Sequence, residues 1–72
     1  MMYRLYKAAD SETPNAATTI DAVPGFSFLF VPEQPLYQTF KAQINADEAQ
    51  LEDADGNLMT AEEAKAFVAT LP

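Results

Sequence analysis

Phe26-Ser27-Phe28-Leu29-Phe30-Val31 is the stretch that decides how this chain folds. It contains no charge, proline or glycine, and its aromatic and β-branched side chains suit a pleated, half-buried surface. Side chains alternate across a strand, so Phe26, Phe28 and Phe30 fall on one face and Leu29 and Val31 on the other, beside Ser27. A strand apolar on both faces is expected to lie centrally in its sheet and to be covered twice. One cover is expected to be a helix of the same chain. The second is either another of the chain's own elements or another subunit. Left uncovered, such a segment is an aggregation hazard. Phe26, Phe28, Leu29, Phe30 and Val31 are therefore the candidate interface residues.

Working outward, Val23-Pro24-Gly25-Phe26 precedes the strand. Proline presets its own φ and glycine accepts positive φ, the pattern of a type II turn. A hairpin with a second strand within Ala17–Val23 follows from it. Further upstream, Met2–Ala8 interleaves Tyr and Leu with charges and reads as a strand, with Tyr3 and Leu5 on one face and Arg4 and Tyr6 on the other. Ala9–Ala16 is small and polar, contains Pro14, and reads as a loop. Downstream, Pro32-Glu33-Gln34-Pro35 breaks the strand, and Pro35 suits the first turn of a helix. Leu36, Phe40 and Ile44 recur at helical spacing with Tyr37 beside them, which places one apolar stripe on the sheet. That helix ends near Asn45 or runs on to Gln50. An Asp55-Gly56 turn then leads to Thr60-Ala61-Glu62-Glu63, a capping box for a helix over about Ala61–Thr70. That helix is expected to bury Ala64, Phe67, Val68 and Leu71. The expected fold class is α+β, one domain over residues 1–72, with a small three-stranded antiparallel sheet followed by two helices.

Composition bounds the chemistry. The 72 residues carry 11 acids and 4 bases and no Cys, His or Trp. Without Cys there are no disulfides, thiolate nucleophiles or Cys-rich zinc sites. Without His, the commonest general base near neutral pH is missing, and Ser11 and Ser27 cannot belong to a Ser-His-Asp triad. A paired-carboxylate site is chemically open, but so short a chain has little room to exclude water around one. The expectation is a non-enzymatic protein with no cofactor, metal or small-molecule substrate. A net charge of −7 repels phosphate backbones and anionic lipid, so neither nucleic acid nor membrane is expected as a direct partner. Met1–Lys7 lacks the apolar run of a secretory signal, and cytoplasmic residence is the default. A chain this short buries only about 60% of the surface its unfolded form exposes, so a protein partner or a homo-oligomer is expected to supplement its core.

Three features remain as candidates. Asp47, Glu48, Glu52, Asp53, Asp55, Glu62 and Glu63 fall within residues 47–63, where there is no base, and form a candidate acidic face. Such a face can imitate nucleic acid and block a basic groove on another protein. The plainer reading assigns these acids to turns, caps and solubility. Residues 51–62 also align with a calcium-binding loop through Asp53, Asp55, Gly56 and Glu62, but Leu51 stands where the first carboxylate belongs. An Asp-Gly turn followed by a helix cap accounts for the same residues. Finally, the aromatic set Tyr3, Tyr6, Phe26, Phe28, Phe30, Tyr37, Phe40 and Phe67 reads as core, because too few bases surround it to favour base stacking.

Val31-Pro32-Glu33-Gln34-Pro35-Leu36-Tyr37-Gln38-Thr39-Phe40-Lys41 resembles a segment of short tailed-phage proteins associated with tail fibres. In those proteins an apolar-Pro-x-x-Pro entry leads into a Tyr-Gln-containing helix with a later aromatic, followed by a Gly-Asn turn. Gly56-Asn57 supplies that turn, and the N-terminal strand Tyr3–Lys7 is similar as well. The resemblance covers less than half of the chain. It implies a structural or accessory protein of a virion and carries over no catalytic or ligand residue; the marginal core and the two-sided apolar strand add the expectation that the chain self-associates or docks through Phe26–Val31. The alternative is an acidic inhibitor of a nucleic-acid-handling protein.

Overall fold

The alternation of Tyr3 and Leu5 with Arg4 and Tyr6 produces β1 (Met2–Tyr6), the strand on which the others assemble. The computed structural model describes the whole chain, Met1 to Pro72. β2 (Ala16–Thr19) pairs antiparallel with β1, placing Tyr3 opposite Thr19 and Leu5 opposite Ala17. β3 (Ser27–Leu29) pairs antiparallel with β2, with Phe28 opposite Ala17. The chain then forms α1 (Pro35–Asn45) and returns at the far side of the sheet as β4 (Gln50–Glu52), parallel to β1 with Leu51 opposite Tyr3. α2 (Ala61–Ala69) completes the fold. Neither helix is long and apolar enough to cross a membrane.

The α+β class and the two helices are as expected, but the sheet is four-stranded and mixed, in the order β3-β2-β1-β4, rather than three-stranded and antiparallel. β4 contributes one apolar side chain, Leu51, and its pairing depends on chain far away in sequence: Gln50 N–H donates to the Met1 carbonyl at 2.9 Å. A parallel partner needs a long crossover, which α1 provides.

The register gathers Tyr3, Leu5, Ala17, Phe28 and Leu51 on one face, where Tyr37, Phe40 and Ile44 of α1 and Ala64 and Val68 of α2 cover them. Along α1 the buried stripe is Tyr37, Phe40 and Ile44, and Leu36 lies half-exposed, so the helix is turned from the expected phase by one residue at its start. The Tyr37 hydroxyl donates to the Pro72 main-chain oxygen at 2.7 Å. α1 stops at Asn45 because Asp47 adopts φ 60°. There its N–H donates to the Ile44 carbonyl (3.2 Å) and Glu48 N–H donates to the Gln43 carbonyl (2.8 Å), the paired bonds of a Schellman ending. α2 starts at the expected capping box: Thr60 Oγ1 accepts from Glu63 N–H (3.1 Å) and Glu63 Oε1 from Thr60 N–H (2.9 Å). Of its expected core side chains, Ala64 and Val68 are buried, while Phe67 and Leu71 are partly so.

The connection into β3 is not a type II turn. Gly25 does not adopt positive φ, and the Val23–Pro24 peptide is cis. The position is tight instead, since a Cβ on Gly25 would stand 3.0 Å from Thr19 Oγ1 and that hydroxyl would have to give way. That hydroxyl accepts from Phe26 N–H at 3.0 Å and ties the loop to the end of β2.

Candidate functional site

β3 is an edge strand with one covered face, not the doubly covered central strand expected. The five candidate interface residues therefore separate. Phe28 is buried, and Phe26 and Phe30 are half-buried against the core. Phe28 meets Tyr3 edge-on (5.9 Å between centroids) and lies 5.4 Å from Phe40. Phe30 stacks on Phe40 (5.8 Å, interplanar 11°) and meets Phe67 edge-on (6.1 Å). These rings join the two layers of the domain. Leu29 and Val31 stay outside, 45% and 38% exposed.

Hydrogen bonding defines which way the main chain of β3 faces. Thr19 N–H donates to the Phe26 carbonyl (2.9 Å) and Phe30 N–H to the Asn15 carbonyl (3.0 Å), with Phe28 opposite Ala17 between them. In an antiparallel pair the bonded positions alternate. Phe26, Phe28 and Phe30 thus face β2, while the main-chain groups of Ser27 and Leu29 point to the open side. The Leu29 carbonyl accepts from Val31 N–H at 2.9 Å, and Pro32 ends the strand.

The opposite edge is covered. Beyond β4 the chain turns at Asp53–Asn57 and runs back, so that Met59 N–H donates to the Leu51 carbonyl (2.9 Å) and Leu58 bridges to Glu52. The sheet has one edge closed by its own chain and one open. Beside the open edge lies a groove of about 340 Å³ lined by Pro14, Asn15, Leu29, Phe30, Val31 and Leu71, continuing to Pro72. Pro14 and Leu71 reach it from the β1–β2 loop and the C-terminal end of the chain, and no local pattern in the sequence could have placed them there. A second cavity of about 170 Å³ lies between α1, β4 and α2, lined by Ile44, Leu51, Met59 and Ala64, with Asp47 among its walls.

The acids of residues 47–63 are largely occupied within the chain. Asp47 is bridged by Lys65 Nζ (2.9 Å), and Glu52 Oε1 accepts from both Arg4 Nε (2.9 Å) and Arg4 Nη2 (2.8 Å). Asp53 Oδ1 accepts the main-chain N–H groups of Asp55 and Asn57, each at 2.9 Å. The Asn57 N–H, and after it the Asp55 N–H, the Asn57 side chain and the Gly56 N–H, hold the Asp53 carboxyl below the usual range despite the opposing effect of desolvation. Glu63 closes the capping box. Glu48, Asp55 and Glu62 have no such partner. The calcium-loop residues form the hairpin turn and helix cap, and no three carboxylates converge on one point.

Two tyrosines complete the interior. The Tyr3 hydroxyl donates to Gln43 Oε1 at 2.6 Å, and burial, with Asp21 adding repulsion, raises its pKa. Burial also raises that of Tyr37. No protein-family model matches the chain, and no characterised protein or solved structure matches it either.

Proposed function

We propose that this chain is a non-enzymatic interaction protein that takes a strand of a partner protein onto the free edge of β3. One observation carries the reading: the sheet's two edges are treated differently, with β4 covered by its own hairpin and β3 left open. Exposed edges are normally blunted by shortness, proline, charge, bulges or cover, and β3 has the first two without charge or cover. The run Ala22–Pro32 has no charged residue, and the main-chain groups of Ser27 and the N–H of Leu29 face the open side. Shortness and the flanking Pro24 and Pro32 confine pairing to a few residues, which suits a specific docking strand better than unlimited stacking. The lack of Cys and His supports the absence of catalysis. The acidic face is the weaker lead, because Asp47, Glu52, Asp53 and Glu63 are engaged intramolecularly.

The test is amide hydrogen exchange on the intact protein, alone and during association. In the free protein the Ser27 and Leu29 amides exchange fast while Phe28 and Phe30 are protected. When a partner or a second copy binds, the Ser27 and Leu29 amides become protected, and Leu29→Lys removes both binding and protection without unfolding the domain. Association that protects residues 47–63 and leaves Ser27 and Leu29 unchanged sinks the reading.

A further inference from the structure

The free main-chain groups of β3 are self-complementary, and we infer that the strand its edge accepts is the β3 of a second copy, paired antiparallel about a two-fold axis at Ser27. The inference rests on the strand-addition reading above. Ser27 is turned away from β2 and offers both its N–H and its carbonyl to the open side, while Leu29 offers its N–H. The Leu29 carbonyl is already taken by Val31 N–H at 2.9 Å. A two-fold centred on Phe28 would set Ser27 opposite Leu29 and draw on that occupied carbonyl. Centred on Ser27, the two serines exchange both N–H···O bonds as a bonded antiparallel pair, with Cα atoms about 5.5 Å apart, and the central bonds use free groups alone.

Side chains and charge favour the same arrangement. Ile20, Val23, Leu29 and Val31, four of the seven large apolar side chains that the fold leaves exposed, lie in or beside this strand. Antiparallel pairing lays the segment before Ser27 in one copy along the segment after it in the other. The fully exposed Val23 of each molecule thereby comes toward Leu29 and Val31 of its partner. Ala22–Pro32 is also the longest uncharged stretch of the chain, so two molecules of charge −7 meet with no acid in the paired segment. The nearest acids, Asp21 and Glu33, stand six residues to either side of Ser27, and Asp21 lies 3.9 Å from the N-terminal ammonium. Because the β4 edge is closed by Leu58 and Met59, each copy has one edge to give. The contact is therefore isologous and stops at two chains, joining two four-stranded sheets into one rather than seeding a fibre.

The experiment follows the mass of the full chain by sedimentation from micromolar to millimolar concentration, at low and high salt, with amide exchange read on the same samples. The mass is expected to rise from 7.9 kDa to twice that value and no further. The Ser27 and Leu29 amides gain protection as the dimer forms, and Phe28 stays protected throughout. High salt is expected to tighten the dimer about two- to five-fold, because it screens two chains of like charge. Leu29→Lys loses the dimer while Phe28 keeps its protection, which marks the domain as still folded. Ser27→Cys supplies the one thiol in the chain, and a short bis-maleimide joins two copies of that variant but not two copies of Ser11→Cys. A chain that stays monomeric at millimolar concentration in both salts overturns the second copy and leaves strand addition to a foreign strand. Growth beyond two chains overturns the closed pairing, and protected amides without cross-linking of Ser27→Cys refute the register. A dimer in which both amides exchange as they do in the monomer overturns the inference and strand addition together.

Discussion

Replacing Phe40 and Leu36 by alanine, one at a time, tests the packing of α1 on the sheet. The two residues lie one turn apart and both belong to the apolar stripe that sequence periodicity suggests. The structure separates them: Phe40 is fully buried, and Leu36 is 38% exposed. Phe40 touches three rings, with centroid distances of 5.0 Å to Tyr3, 5.4 Å to Phe28 and 5.8 Å to Phe30. Phe→Ala in such a site costs about 3–5 kcal/mol. At about 0.05–0.15 kcal/mol per residue, a chain of 72 residues is stable by only ~4–11 kcal/mol. Phe40→Ala therefore removes a large share of the total, and Phe40→Leu, which keeps most of the volume, costs about 1–2 kcal/mol. Leu36→Ala removes a side chain that stays partly wet in the folded state, and costs about 1 kcal/mol or less. Urea unfolding followed by far-ultraviolet circular dichroism gives all three values, provided the slopes agree. A Leu36→Ala loss equal to that of Phe40→Ala would refute the helix phase described here, and with it the aromatic contacts that hold β3.

Three further outcomes are expected. Ala9 and Asp10 adopt φ 55° and 60° at the tip between β1 and β2, where Ser11 N–H donates to the Ala8 carbonyl (3.3 Å); Ala9→Asn should stabilise by about 0.5–1 kcal/mol, and a loss of stability would contradict the left-handed turn. Thr60→Ala should cost about 1 kcal/mol while Thr60→Ser costs much less, and equal losses would argue against the cap's hydrogen bond. The raised pKa values of Tyr3 and Tyr37 mean that unfolding releases phenolic protons more easily. Their contribution is complete below the ordinary tyrosine value of 10.0 and is lost as pH rises through the folded-state values, so urea midpoints should fall on alkaline titration, less steeply in Tyr3→Phe. A midpoint that does not move above that pH would exclude the burial of both hydroxyls.

How much of this was legible beforehand depended on whether the determinant was local. The Thr60–Glu63 box, the face shared by Tyr3 and Leu5, and the aromatic row of β3 are each set by neighbours within a few residues, and all stand where the sequence reading put them. β4 is different. Gln50-Leu51-Glu52 becomes a strand because Met1 and Met59 offer it main-chain partners from both sides, a property no local window contains. The two-faced apolarity of Phe26–Val31 was read as a sign of double cover, but only the phenylalanine face is covered. In the candidate site, the acids were visible as a cluster. Their engagement was not, because Arg4 and Lys65 come from outside the acidic stretch.

The open edge bears on why β3 carries Leu29 at all. Its phenylalanine face is committed to the core, so the strand cannot be blunted by an inward-pointing charge without dismantling the contacts of Phe28 and Phe30. Ser27 and Leu29 are under no such constraint: both side chains are exposed and neither belongs to the core. A lysine at position 29 would cost the folded domain little, shield the edge and reduce the surplus of negative charge. The folded monomer alone gives no physical reason for leucine there, beside a groove lined by Val31 and Leu71. An incoming strand does, because the leucine then gains cover that the monomer does not supply. Leu29→Lys thus separates the two demands on this strand, and a variant that folds as well as the parent but no longer docks is the result this argument requires.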